Sequence, residues 1–191
     1  MKFGRILIGL GIVALLAVAI FLKCQGWRNE LIASEERTNE AWAQVENQLQ
    51  RRMDLIPNLV ATVKGYAGHE REVLIGVTEA RAKVAGASSV SEKIKTNNEL
   101  TSALSRLLVV VERYPDLKAN QNFLALQDEL AGTENRIAVE RKRYNEAVRN
   151  YNQMKRQFPY YLVIRFLGLN LSDKPYFEAA QGAATAPAVK F

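Results

Sequence analysis

The sequence predicts an all-α protein, an elongated antiparallel four-helix bundle with one N-terminal transmembrane helix. An uninterrupted apolar run of 17 residues, Ile6 to Leu22, is near the lower length limit for a membrane-spanning helix. Beyond residue 28, Ala, Leu, Glu, Arg and Gln dominate, and the alternation typical of strands is scarce. The predicted divisions are a membrane anchor with its flanks at 1–28, a helical bundle at 29–158, and a C-terminal apolar segment with a mobile tail at 159–191.

The apolar run is open to three interpretations, of which an uncleaved, single-pass anchor is preferred. Cleavage as a signal peptide at Ala17-Val18-Ala19 would leave Ile20 at the start of the mature chain, an awkward beginning. Lipid modification of Cys24 would need a small residue before the cysteine, and the chain has Lys23 there. Cleavage of the N-terminus and modification of Cys24 both stay open on the sequence alone.

Positive charge is concentrated around the apolar run. The chain carries a formal net charge of +6, and residues 1–28 contain four basic and no acidic residues. The remainder has 22 basic and 20 acidic residues, so it lacks the basic excess typical of nucleic-acid-binding domains. We therefore expect no nucleic-acid partner. Lys2 and Arg5, against Lys23 and Arg28 on the other side, weakly favour a cytoplasmic N-terminus and a body outside the cytoplasm.

Four helices are predicted after the anchor, with boundaries set by glycine and proline. Gly65 and Gly68 mark the first break, and Gly86 begins a flexible turn. Pro115 marks the third break because proline cannot continue the preceding helix. The predicted helices span 29–66, 69–86, 91–113 and 117–157.

The first and last of these helices carry apolar residues at seven-residue spacing. This spacing predicts helices packed lengthwise in a bundle or coiled coil. Two Tyr-Asn pairs, at 144–145 and 151–152, fall on the second stripe, where we expect the tyrosines in the core and the asparagines bridging at its edge. The stripes are Trp42, Leu49, Ile56 and Val63, and Phe123, Leu130, Ile137, Tyr144, Tyr151 and Phe158.

The first and last helices also carry opposite charge where an antiparallel arrangement brings their ends side by side. We expect these charges to set the alignment of the two helices more than their stability, since an exposed pair contributes only about 0–1 kcal/mol. The acidic set is Glu30, Glu35, Glu36, Glu40 and Glu46, and the basic set is Arg136, Arg141, Lys142, Arg143, Arg149, Lys155 and Arg156.

The two long helices should extend beyond the two shorter ones as a two-helix stalk with uncovered apolar surface. The segment Tyr160–Leu167 follows at once, and its tyrosines, arginine and aliphatic residues suit a bilayer interface. We hypothesise that it covers the stalk or lies on the lipid, and a C-terminal clasp on the bundle is the alternative. The candidate interface residues are Trp42, Leu49, Phe158, Tyr160, Tyr161 and Phe166.

Residue types and spacings that support catalysis or metal binding are scarce. The chain has one histidine and one cysteine, far apart in sequence, which do not make a zinc site. His69 lacks a glutamate three residues before it, as a di-iron bundle would need, and a second histidine four residues after it. No nucleophile motif or phosphate loop occurs. We expect no catalytic residue, metal or cofactor, and a surface position for His69.

Pro57 interrupts the helical stretch RRMDLIPNLVATVKGY. Proline lacks the N–H that would bond to the Met53 carbonyl, at a cost of about 3 kcal/mol in a helix interior. The apolar stripe continues in phase across Pro57, which favours a kinked helix over a stop. The residues suggested as partners for the freed carbonyl, or for another chain, are Arg51, Arg52, Asp54 and Asn58.

Three long stretches resemble the bacterial LemA family: AWAQVENQLQRRMDLIPNLVATVKGYAGHE, YPDLKANQNFLALQDELAGTENRIAVERKRYNEAVRNYN, and FPYYLVIRFLGL with PYFEA after it. The resemblance covers about 27–180 and implies a membrane-anchored helical bundle with no established enzymatic activity. The chain departs after Pro159, where LemA proteins usually have a small polar stretch and an asparagine. The matching motif residues are Asp54, Pro57, Asn58, Tyr66, Pro115, Asn120, Glu134, Asn135, Tyr144, Asn145 and Tyr151.

The sequence therefore favours a non-enzymatic, membrane-anchored scaffold or interaction protein at the bacterial envelope. Its expected partners are the lipid bilayer and either further copies of itself or another membrane protein. The alternative is an envelope signalling or stress-response adaptor that acts through a membrane protein. A hydrolase or metal enzyme is the least supported class.

Overall fold

The computed structural model describes the backbone of residues 2–178 and the side chains of residues 8–178. This part of the chain contains helices and no strand, which confirms the all-α fold class. The predicted mobile tail at 179–191 lies outside the described residues. The helices are α1 (Lys2–Tyr66), α2 (Arg71–Gly86), α3 (Val90–Val111), α4 (Pro115–Lys118), α5 (Gln121–Arg156) and α6 (Tyr160–Leu167).

Two boundaries differ from the prediction by more than one or two residues. The anchor and the first bundle helix form one continuous helix, α1, since the only breaker between them is Gly26 and one glycine costs about 1 kcal/mol. The last predicted helix is divided into α4 and α5. Its interruption lies at Asn120, whose Oδ1 accepts from the Phe123 backbone N–H at 3.0 Å and caps the start of α5.

The chain divides into two compact units, and both α1 and α5 contribute to each. The first comprises residues 1–40 and 146–174, and we call it the anchor unit because it contains the apolar run. The second comprises residues 41–145 and 175–191, of which those up to 178 are described, and we call it the bundle unit.

The core of the bundle unit is built mainly by α1, α2 and α3, with Ala67 after α1 and one buried residue each from α4 and α5. Leucine and valine dominate, and their spacing of three or four residues puts them on one face of each helix. The buried members are Ile56, Leu59, Val63, Ala67, Leu74, Val77, Ala80, Val84, Leu100, Leu104, Leu107, Val111, Leu117 and Phe123.

The apolar run of α1, in the anchor unit, is exposed along its described length. Its large apolar side chains from Ile8 to Leu22 are 56–73% exposed, whereas Leu31 is fully buried. By length and composition this part of α1 suits a membrane crossing. An exposed apolar surface of this kind marks a membrane or protein contact.

Helix α1 continues through Pro57, and a charged side chain replaces the hydrogen bond that the proline removes. The freed carbonyl is that of Met53, and the Nε of Arg81 in α2 donates to it at 2.9 Å. The donor therefore comes from a neighbouring helix rather than from the α1 side chains that the sequence suggested. Arg51 and Arg52 instead form ion pairs with α5.

We expect Arg81→Met to lower the free energy of unfolding by about 1–3 kcal/mol, because the half-buried Met53 carbonyl loses its donor. In a Pro57→Ala background the loss should be smaller, since the restored N–H can bond to that carbonyl. A double-mutant cycle of urea unfolding in one mild detergent measures the difference.

Arg106→Met on the exposed face of α3 is the matched control, and we expect it to change stability little. Equal losses from Arg81→Met with and without Pro57 would show that the arginine does not compensate for the proline.

Candidate functional site

Residues 169–178 follow α6 without forming a helix, and we call them the C-terminal strap. Two asparagines of α5 hold it by the same pair of hydrogen bonds. In the anchor unit, Asn152 Nδ2 donates to the Lys174 carbonyl and Asn152 Oδ1 accepts from the Lys174 N–H, both at 3.1 Å. In the bundle unit, Asn145 makes the same bonds to Phe177 at 3.0 and 2.8 Å. The amide side chain thus satisfies a donor and an acceptor at once.

The tyrosine of each Tyr-Asn pair is buried, but the two hydroxyls differ. Tyr144 donates to the Pro175 carbonyl at 2.8 Å. The buried Tyr151 hydroxyl has no hydrogen-bond partner among the described residues. Burial raises the pKa of each tyrosine to about 12, and the carboxylates of Glu35 and Asp173 add to the shift at Tyr151.

The strap covers an aromatic surface in the bundle unit. Phe177 is only 2% exposed, with its ring centroid 6.5 Å from that of Trp42, which in turn lies 5.2 Å from that of Tyr144. The Arg141 guanidinium lies 4.2 Å from the centre of the Phe177 ring. Of the candidate interface residues, Trp42 is therefore half-buried beside the strap, and Leu49 is buried.

The strap also carries two adjacent charges, which form ion pairs with different helices of the anchor unit. Lys174 pairs with Glu35 of α1 at 2.9 Å. Asp173 pairs with Lys155 at 2.8 Å and with Arg156 at 2.7 Å, both at the end of α5, and the hydrogen bonds from these cations lower the pKa of Asp173. The sequence had suggested that the acidic set of α1 lies directly beside the basic set of α5. Among the described residues, no ion pair joins the two sets directly.

Glu134 is the one LemA motif residue that pairs with a buried charge. Its carboxylate lies 3.0 Å from the guanidinium of Arg52, which also donates to Asn97 and Thr101 at 3.0 Å each. Burial lowers the pKa of Arg52, and the charge of Glu134 opposes that shift. This pair lies beside a groove of about 290 Å³ with leucines from α1, α3 and α5 along its walls.

Other motif residues lie at turns or on exposed helix faces. Asn120 Nδ2 donates to the Tyr66 hydroxyl at 2.9 Å, and Pro115 is the first residue of α4, where its missing N–H costs nothing. Asp54 accepts from Gln50 at 2.8 Å. The exposed motif residues without a side-chain partner among the described residues are Asn58 and Asn135.

The remaining candidate interface residues lie in and beside α6, in the anchor unit. Tyr160 donates its hydroxyl to Glu30 of α1, and this bond raises the pKa of Tyr160. Phe158, Tyr161 and Phe166 are 76%, 47% and 84% exposed. Helix α6 ends at Gly168, whose φ of +60° favours glycine.

Within the part of the chain that the structure describes, the motif residues form structural contacts, and no grouping of side chains suited to metal binding occurs. No three His, Cys, Asp or Glu side chains there are grouped so that they could hold a metal ion. His69 is exposed. Sequence reasoning missed four residues that make long-range contacts. Only Phe177 carried a signal, since it lies in the stretch PYFEA, which resembles the family. The missed residues are Arg81, Asn97, Lys174 and Phe177.

We expect Asn152→Ala to raise the amide exchange rate at Lys174, and Asn145→Ala to raise it at Phe177, by about fivefold or more. Each substitution removes two hydrogen bonds that together contribute about 1–3 kcal/mol to the local closed state. Hydrogen exchange of the full-length chain in nanodiscs, read on peptides covering the strap, measures the effect.

Asn122→Ala, an exposed position on the same helix, is the control and should leave strap exchange unchanged. If neither Asn145→Ala nor Asn152→Ala accelerates exchange, the asparagines do not hold the strap.

Comparison with known proteins identifies the family of this chain. The LemA family matches residues 41–191. Protein LemA of Metamycoplasma hominis is 24% identical over 128 residues, which cover 66% of this chain and 58% of that protein. Magnetosome proteins MamQ 1 and MamQ 2 of Paramagnetospirillum magneticum are each 24% identical over 194 aligned positions, which cover 87% of this chain and 71% of theirs. The match extends over most of the described body, and the chain belongs to the LemA family.

Proposed function

We propose that this chain is a membrane-anchored, non-enzymatic scaffold of the LemA type at the bacterial envelope. One observation carries the proposal: α1 exposes an apolar run suited to a bilayer and continues without a break into a folded helical body. Such a helix fixes the body to a membrane, where binding to other proteins is the function that its surface supports best.

The use of the polar motif residues supports a role in binding rather than catalysis. Asn145, Asn120 and Glu134 are engaged with the protein's own backbone or side chains. MamQ 1 and MamQ 2, which this chain resembles, are named as magnetosome proteins.

We further propose that the scaffold self-associates in the membrane. Gly9 and Gly11 leave open space beside α1, which allows a second copy of the helix to approach closely. The alternative is a signalling or stress-response adaptor in which a different membrane protein takes this place.

We expect native mass measurement of the full-length chain in nanodiscs to give a defined oligomer. Gly9→Leu combined with Gly11→Leu should shift the population towards monomer, because the larger side chains keep the helices apart. Leu15→Ile, a change of similar volume in the same run, is the control. A wild-type chain that stays monomeric over a range of protein-to-lipid ratios would contradict self-association and favour the adaptor.

We propose that the N-terminus lies in the cytoplasm and the body outside it. In a Cys24→Ser background, Val109→Cys introduces a single thiol at a site that is 70% exposed on α3. We expect a membrane-impermeant maleimide to label this thiol in intact spheroplasts as fully as after permeabilisation. Labelling that appears only after permeabilisation would reverse the orientation.

A further inference from the structure

We propose that α6 lies on the bilayer surface and that its exposed apolar side chains enter the headgroup region of anionic lipids. This inference rests on the proposed membrane anchoring and adds a second, peripheral contact with the same bilayer. The side chains concerned are Phe158, Tyr161, Phe166 and Leu167, and we call them the α6 apolar set.

The first observation is the exposure of this set. Phe158 and Phe166 are 76% and 84% exposed, and Leu167 is 48% exposed. Within α6, only Val163 is buried, at 4%. A short helix that buries one apolar side chain and exposes several leaves apolar surface for a further contact.

The second observation is the position of α6 beside the end of the apolar run, within the anchor unit. The Tyr160 hydroxyl bonds to Glu30, which lies eight residues after Leu22 on α1. At 1.5 Å per residue this is about 12 Å along the helix, and side chains reach about 5–6 Å from a helix axis. The headgroup region is about 5–8 Å thick on each side of the hydrocarbon core, so α6 lies within reach of it.

The change of burial along α1 supports the same placement. Its described side chains are exposed through Lys23, whereas Cys24 and Gln25 are half-buried. The folded part of the anchor unit therefore begins directly after the apolar run, with no spacer to hold α6 away from the lipid.

The third observation is charge, which favours lipid over a second copy as the occupant. Arg165 of α6 and Lys23 beside the run are exposed. Arg156 at the end of α5 is also exposed but pairs with Asp173, and the acid beside α6 is Glu30, which accepts from Tyr160. No acidic residue occurs between Arg156 and Gly168. Two copies that met through this surface in a symmetric contact would place like charges together. Anionic headgroups attract it instead, and aromatic rings beside basic residues are typical of the bilayer interface.

The test uses the full-length chain in nanodiscs that contain phosphatidylglycerol. In a Cys24→Ser background, Phe166→Cys carries an environment-sensitive fluorophore, and the exposed position should accept it without loss of folding. We expect a nitroxide placed near the lipid headgroup to quench this label more strongly than one near the end of the acyl chain. Glu40→Cys, an exposed position on α1 in the same unit and about 27 Å along the helix beyond Leu22, is the matched control and should not be quenched.

A second arm tests the charge. Replacing phosphatidylglycerol by phosphatidylcholine, or changing Arg165→Gln, should shift the equilibrium of the label away from the lipid by about fivefold, since one basic residue near an anionic surface contributes about 1 kcal/mol. Quenching that is unaffected by both changes would overturn the preference for anionic lipid.

The outcomes separate this inference from the proposed function. A label at position 166 that stays unquenched while the chain remains in the nanodisc fraction overturns the α6 contact and leaves the anchor intact. Energy transfer between labels on two copies, without lipid quenching, overturns it in favour of a protein occupant. Loss of the chain from the nanodisc fraction would contradict the anchoring itself.

Discussion

Backbone groups that regular structure leaves unpaired are satisfied by side chains at the points on which this fold depends. A carbonyl or N–H buried without a partner costs about 1–3 kcal/mol, more than an ordinary hydrogen bond contributes. Arg81 donates a hydrogen bond to the Met53 carbonyl that Pro57 leaves unpaired. Asn152 bonds to both the backbone N–H and the backbone carbonyl of Lys174. Without the first bond, α1 would carry an unsatisfied group in the bundle unit. Without the second, an irregular segment would be buried beside α5 at a high cost.

The same constraint explains how the strap can lie on the protein without regular secondary structure. Such a segment pairs few of its own backbone groups, so most of them must find partners on the surface that it covers. In the bundle unit, Asn145 and Tyr144 supply those partners, and Phe177 gains an apolar environment beside Trp42. In the anchor unit, Asp173 forms ion pairs with cations of α5, and the adjacent Lys174 forms one with an acid of α1. The Asp173–Arg156 pair is exposed and contributes little energy, so it serves mainly to orient the segment.

Local sequence patterns were sufficient to predict the helices but not the contacts between them. The seven-residue stripes, Pro115 and the glycine breaks are read over a few residues, and the apolar run needs only composition, so these elements were predictable. The partner of the Met53 carbonyl lies 28 residues away, and Asn145 and Phe177 are 32 residues apart. No periodicity marks an irregular segment such as the strap. The two charged sets were recognised from the sequence, but their partners were not. Asp173 pairs with Lys155 of the basic set, and Lys174 pairs with Glu35 of the acidic set.

The distribution of polar and apolar groups bears directly on function. Conspicuous polar side chains, including Asn120, Asn145, Asn152 and the Arg52–Glu134 pair, are bonded to the protein itself, so they hold the fold and are not free to act on a substrate. Exposed apolar side chains of the described chain are concentrated along the apolar run of α1 and in and beside α6, and single ones occur on other helices. Covering such a concentration of apolar surface with lipid or protein lowers the free energy. That asymmetry is the physical reason to look for lipid and protein contacts in this LemA family member before looking for a reaction.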